Sequence, residues 1–184
     1  GVKTSLPMIV AEELGIPVED VTVTNVDTDA SPWDAGTVGS RSMLVSGNAT
    51  RLAAIDARNQ LLRMAARQLE ASPDDLEIKD RQIRVKGTPA KALALAAVAT
   101  AAHNEIGEVI GRGYFDSKAM AEEEKERGSS QPFTTHACIV EVDTNTGNVK
   151  ILKYVAVHDV GFVIHPKAVE GQIEGATAMS IGQA

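Results

Sequence analysis

The sequence predicts an α+β fold, with helices packed on small mixed or antiparallel sheets, and three observations carry that expectation. From Ser40 or Ser42 to about Glu70, apolar residues recur at helical spacing. Two pairs of short alternating segments flank turn-forming residues, as antiparallel hairpins do. No regular strand–helix–strand alternation of the kind that builds a parallel sheet recurs. With 184 residues, 43% of them apolar, the chain is long enough to bury a core. Aromatics make up only 3%, so that core must come from Ala, Val, Leu and Ile.

Taken in order, Ser5-Leu6-Pro7 predicts a helix start, with Glu12 and Glu13 on the following turns and Gly15 and Pro17 ending it. Val21-Thr22-Val23-Thr24 alternates with β-branched residues and predicts a strand, and Asp27 to Gly39 is a loop rich in Asp, Ser, Pro and Gly. The longest helix follows, with Met43, Leu44, Leu52, Ile55, Leu62, Ala65 and Leu69 as its apolar set, closed by Ser72-Pro73-Asp74. Leu76–Lys79 and Gln82–Val85 flank Asp80-Arg81 as a first hairpin. Ala90 to Ala102 predicts a second helix. Gly111 to Ser130, which includes the charged run Glu122 to Arg127, predicts a mobile connector. A second hairpin pairs His136–Val142 with Val149–Val157 across Asn145-Thr146-Gly147, and after Pro166 the pattern turns helical to the end. Two halves result, residues 1–86 and 87–184.

The formal net charge of -7 argues against a nucleic-acid partner, since no Lys/Arg cluster interrupts the acidic balance. Cys138 is the one cysteine, which excludes an intrachain disulfide and a cysteine-based zinc or iron–sulfur site, and its expected role is packing on a strand. The Ala-rich run Ala90 to Ala102 falls short of the ~20 apolar residues of a membrane span, and no secretory signal opens the chain. A cytoplasmic protein without membrane contact is the expectation.

Chemistry concentrates in two places. Gly36-Thr37-Val38-Gly39-Ser40-Arg41-Ser42 puts small residues, hydroxyls and a cation at a predicted helix start, where free N–H groups can hold phosphate oxygens. The plainer alternative is that Ser40 or Ser42 simply caps the helix. The glycines fit neither the dinucleotide fingerprint nor the P-loop. The second place is His158-Asp159-Val160-Gly161 through His165-Pro166 to Gly171-Gln172-Ile173-Glu174-Gly175, where a strand end feeds a helix. Neighbours on a strand point to opposite faces, so His158 and Asp159 do not form an acid–base pair, and Asp159 is expected to fix the turn. His165 before proline is expected to be a turn residue. His103, His136, His158 and His165 lack metal-ligand spacing, so no metal site and no catalytic residue is assigned. Gln172 is an amide able to donate and accept at once. Glu122-Glu123-Glu124 is expected to be a solvated acidic face.

Together these stretches resemble the molybdenum hydroxylase family, of the xanthine dehydrogenase/aldehyde oxidase type. The likeness rests on Ala11-Glu12-Glu13-Leu14-Gly15-Ile16-Pro17 into Val21, on Gly36 to Ser42 up to Gly47, and on Val140-Glu141-Val142-Asp143 through His158-Asp159-Val160-Gly161 to Gly171–Gly175. It covers nearly the whole chain. The wording from Ala156 to Gly175 is nearest to bacterial xanthine dehydrogenase-like and 4-hydroxybenzoyl-CoA reductase-like members. The resemblance implies the fold of the C-terminal part of a molybdopterin-binding large subunit. It also implies a molybdopterin cofactor carrying molybdenum, in bacteria usually as the cytosine dinucleotide, placed by hydrogen bonds rather than by protein ligands to the metal. Thr37, Gly39, Ser40, Ser42 and Gln172 match the family's cofactor-contacting positions, which makes residues 1–86 the cofactor-cradling half. The implied activity is hydroxylation of an aromatic heterocycle or aldehyde, or in one branch reductive dehydroxylation of a thioester. Electrons would pass through iron–sulfur and FAD subunits or domains.

Two family features are expected to fall outside these residues: the glutamine of a Gly-Gln-Gly motif, before Gly1, and the catalytic glutamate that serves as general base, after Ala184. The chain alone is then expected to be an inactive fragment, to lack the cofactor by itself, to need the rest of the molybdenum subunit, and to self-associate through the helix after Pro166. The rival expectation is a non-catalytic structural or assembly domain of the same fold with no cofactor of its own.

Overall fold

The computed structural model describes residues 1–24, 27, 29, 33, 34, 36–116 and 132–183, with the side chain of Pro89 left aside. The chain forms two compact units, Gly1–Ala119 and Met120–Ala184.

In the first unit, α1 spans Val2–Leu14, so the helix begins before Ser5-Leu6-Pro7 and carries Pro7 inside it. Proline removes one helical N–H, yet Ser5, Pro7 and Ala11 are buried on a helix that packs on the long helix, and this packing overrides the local start signal. Gly15 ends α1 as expected. Its φ of 59° is left-handed, and the Ile16 N–H reaches back to the Ala11 carbonyl at 3.1 Å, closing the helix in a Schellman turn. A Cβ at Gly15 would also collide with the carbonyl oxygen of Ile78, so this glycine serves both turn and packing. Val21 is extended, but residues 21–24 belong to no sheet among the described residues, contrary to the strand expected there.

A π-helical turn, Met43–Gly47, leads into α2, Asn48–Leu69. Its buried face is Ala54, Leu61, Met64, Ala65, Ala66 and Leu69, whereas Leu44 and Leu52 of the expected apolar set are exposed. Glu13 of α1 accepts from Arg51 at 2.6 Å and from Arg58 at 3.4 Å, tying the two helices.

The first hairpin forms as expected from β1 (Leu76–Lys79) and β2 (Gln82–Val85). Asp80 and Arg81 both take left-handed backbone, φ 50° and 60°, the requirement of a two-residue I′ turn. Arg81 grips the Asp20 carboxylate with two hydrogen bonds, and this contact holds the Asp20 carboxyl below its ordinary range. The expected helix over Ala90–Ala102 divides. Thr88–Ala94 is strand β3 and α3 runs Leu95–Ile106. β2 would otherwise leave an unpaired edge; Ile83 pairs with Leu93 and Arg84 with Ala92, and these bonds outweigh alanine's weak strand preference. The same pairing crosses the boundary expected between residues 86 and 87, so that boundary lies inside a β1-β2-β3 sheet. The core joins α2, the sheet and α3 through Leu61, Met64, Leu69, Leu76, Ile83, Val98 and Ala102, with Ile83 and Val98 fully buried.

Beyond α3 the chain returns along α2. Gln60 Nε2 donates to the Ile110 carbonyl at 2.9 Å, and the Arg112 N–H donates to Asp56 at 3.0 Å. A Cβ at Gly111 would strike the Ala53 carbonyl, and one at Gly113 the Ala49 carbonyl. This stretch is therefore docked rather than the start of a mobile connector. The remainder of that expectation, including Glu122 to Arg127, lies outside the described residues.

In the second unit, β4 (Phe133–Val142) and β5 (Val149–Asp159) pair antiparallel, with a bulge between Ile139 and Val140, and α4 spans Pro166–Gln183. The turn is built on Asp143, whose carboxylate accepts from the Thr146 hydroxyl at 2.8 Å and the Asn145 N–H at 2.9 Å. Those bonds, the Thr146 hydroxyl first, depress its pKa. Cys138 lies exposed on β4 rather than packed. No helix among the described residues is long and apolar enough to cross a membrane.

Candidate functional site

Residues 36–42 turn back on themselves at the mouth of the π-helical turn. Gly36 and Gly39 have φ of 77° and 55°, and no described residue lies within 4 Å of where a Cβ would stand, so backbone conformation is what calls for glycine there. Ser40 shares the left-handed region at φ 58°. The Thr37 and Ser42 hydroxyls meet at 2.8 Å, and the Gly36 N–H is held by Asp34 at 2.6 Å. Thr37, Gly39 and Ser40 are exposed; Arg41 and Ser42 are half-buried.

The helix enters at Arg41, whose carbonyl accepts the Val45 N–H at 2.8 Å. Ser42 already has helical backbone and makes no capping bond. Ser40 is left-handed, not extended as an N-cap is. Neither serine is the cap. Among the described residues, the N–H groups of Ser42, Met43 and Leu44 have no backbone acceptor. Uncapped donors, an exposed hydroxyl and a paired one, with glycines that leave the approach open, suit an anionic group such as a pterin phosphate. On this observation the loop fits the cofactor that the resemblance implies.

The second stretch resolves differently. Asp159 Oδ1 accepts the Gly161 N–H at 3.0 Å, with Gly161 at φ 69°, so Asp159 fixes the turn as expected. His165 does more than turn the chain: its Nδ1 accepts the Ala168 N–H at 3.2 Å and its carbonyl accepts from Ala168 and Val169, making it the N-cap of α4 with Pro166 next. Gln172 is exposed in the second turn of α4, past the helix start, and belongs to the second unit. Thr37, Gly39, Ser40 and Ser42 are gathered on one turn of the first.

One group escaped the sequence. His136 and His158 meet with Nε2 atoms 2.8 Å apart, and Tyr154 Oη lies 2.8 Å from His136 Nδ1. The rings contact edge to face. Only the strand register brings them together, so ligand spacing along the chain carried no signal. No cluster of three metal-ligating side chains occurs among the described residues.

A family model described as the molybdopterin cofactor-binding domain matches residues 1–184. The carbon monoxide dehydrogenase large chain of Afipia carboxidovorans is 34% identical over all of this chain and 23% of its own length. The xanthine dehydrogenase molybdenum-binding subunit of Escherichia coli is 31% identical over all of this chain and 24% of its own. The crystal structure of quinoline 2-oxidoreductase from Pseudomonas putida superposes with a TM-score of 0.82 at 31% identity, over 100% of this chain and 23% of that one. This chain thus spans about a quarter of the length of these relatives. A match across every residue, joined to a shared α+β fold, establishes that the chain belongs to the molybdopterin cofactor-binding domain family of the molybdenum hydroxylases.

Proposed function

We propose that this chain lines the molybdopterin site in the large subunit of a cytoplasmic oxidoreductase that hydroxylates an aromatic heterocycle or aldehyde. The observation that carries the proposal is the turn at residues 36–42 and the helix start after it, where the Ser42, Met43 and Leu44 N–H groups, without a backbone acceptor among the described residues, follow the Thr37–Ser42 hydroxyl pair. Thr37, Ser40 and Ser42 hold the cofactor's phosphate and pterin oxygens, and Gly39 keeps the approach clear. The cytosine dinucleotide form suits such a cradle, because its extra phosphate demands N–H donors. When bound, the cofactor supplies the molybdenum chemistry; this chain supplies position and hydrogen bonds. Relatives named as a large chain and a molybdenum-binding subunit support a multi-subunit enzyme; iron–sulfur and FAD partners, which the family resemblance implies, take the electrons. The exposed Met179 and Ile181 of α4 support self-association of the chain when those neighbours are missing.

The test is Ser40→Glu beside Ser40→Gly in the intact large subunit, with molybdenum and pterin content measured along with the thermal midpoint. Glycine suits the left-handed backbone and should retain the cofactor. Glutamate sets a carboxylate against the anionic group, worth about 4 kcal/mol for unit charges ~4 Å apart at an effective dielectric near 20. Metal content should fall by at least tenfold at little change in midpoint. Full metal content in Ser40→Glu would overturn the assignment.

A further inference from the structure

The histidine pair belongs to the hairpin of the second unit, where the two Nε2 atoms face one another 2.8 Å apart. His136 pairs with Ala156 and Thr134 with His158, so both imidazoles stand on the same face of the ribbon as Tyr154. That shared face depends on the bulge between Ile139 and Val140. On the turn side of it, Val142 pairs with Val149 and Val140 with Ile151; continued unbroken, that register would set His136 opposite Val155 and send His158 to the other face.

A bond between two imidazole Nε2 atoms needs one protonated and one bare nitrogen. If His136 Nδ1–H donates to Tyr154, His136 Nε2 is bare and accepts from His158; if the tyrosine hydroxyl donates, the direction reverses. Either way one proton occupies the axis between two nitrogens 2.8 Å apart. A tetrahedral ion with bonds of about 2.05 Å holds its nitrogen ligands about 3.3 Å apart, so the rings need to open by only about half an ångström. His136 is exposed and His158 and Tyr154 are half-buried, which leaves the remaining coordination positions open to water.

We propose that His136 and His158 form a binding site for one divalent transition ion of the zinc, nickel or copper(II) class, with Tyr154 as the positioning residue that fixes the His136 tautomer. Imidazole selects this class over magnesium or calcium, which prefer oxygen. With the His136 proton on Nδ1 against Tyr154, its Nε2 lone pair faces the ion. The His158 proton passes through water from Nε2 to Nδ1, so both rings stay neutral and no net proton is lost.

The experiment is calorimetric titration of the full chain with zinc, together with copper(II) electron paramagnetic resonance, on wild type and four variants. Wild type should bind one ion per chain with two nitrogen ligands in the copper spectrum. His136→Ala and His158→Gln should each weaken zinc at least tenfold and leave one nitrogen. The glutamine variant keeps a polar side chain on the strand, and an unchanged β signal in circular dichroism separates a lost ligand from a lost hairpin. Tyr154→Phe should weaken binding by about tenfold while both nitrogens remain, the signature of an outer-shell partner. His103→Ala should change nothing. The proposal is overturned if folded wild type binds no zinc at micromolar concentrations, if His158→Gln binds as wild type does, or if His103→Ala removes the ion.

Discussion

The two units reach the folded state by different means. In the first, α2, the β1-β2-β3 sheet and α3 bury Ile83 and Val98 completely and hold Leu69 and Leu76 nearly so. In the second, β4, β5 and α4 contain no buried residue, and Phe133, Ile139, Val155, Val157 and Met179 are exposed. Burial of apolar area dominates stability in one; register, turn and cap bonds define the other. An isolated two-stranded ribbon is marginal in water. The lesson is that similar local patterns, alternating segments around a turn, carry very different energies depending on what lies behind them.

The sharpest way to break this contrast is Ile83→Ala, which opens a cavity in the first unit and should cost about 3 kcal/mol in urea unfolding. A loss below about 1 kcal/mol would mean that the core does not carry the unit. A smaller effect belongs to Asp143. Its folded pKa is depressed, so the stability it gives the hairpin turn is present above the ordinary carboxylate value, about 3.9, and is lost as pH falls through the lower folded value. Amide exchange at Gly147 should quicken across that acidic window in wild type and show no such step in Asp143→Asn; identical pH profiles would remove the carboxylate from the turn's stability. The smallest effect should come from Val157→Ala. It deletes two methyl groups, as Ile83→Ala deletes a whole branched chain, yet from a residue 60% exposed, so the chain's stability should move by no more than about 0.5 kcal/mol. A loss of 2 kcal/mol there would show that the second unit has a core of its own.

The sequence was most legible where the deciding interactions are local. Both hairpins follow from alternation around Asp80-Arg81 and Asn145-Thr146-Gly147, and the end of α1 follows from Gly15. It was least legible where a distant partner decides. Nothing within Ala90–Ala94 distinguishes strand from helix, because the open edge of β2 makes the choice. The small residues and hydroxyls of 36–42 are plain in the sequence, but not the left-handed Ser40, since serine is no marker for positive φ. His165 hid as a cap because imidazole is not among the usual capping groups. The His136–His158 contact turns on one bulged residue that leaves no mark in composition.

Gly111 and Gly113 set one further condition, a matter of matching rulers. Gly111 faces Ala53 and Ala57, and Gly113 faces Ala49 and Ala53, so two steps of one chain keep pace with four of the other. Four helical residues advance about 6.0 Å, and two residues of fully extended chain advance at most about 6.6 Å. The two ladders stay nearly in phase over this pair of contacts, and full extension would make them drift by about 0.6 Å with each further one. Glycine at alternate positions against alanine at every fourth is thus a vernier with a short range. It locates the segment on the helix to within one residue, and it could not be lengthened into a longer clasp without one chain stretching or the other unwinding.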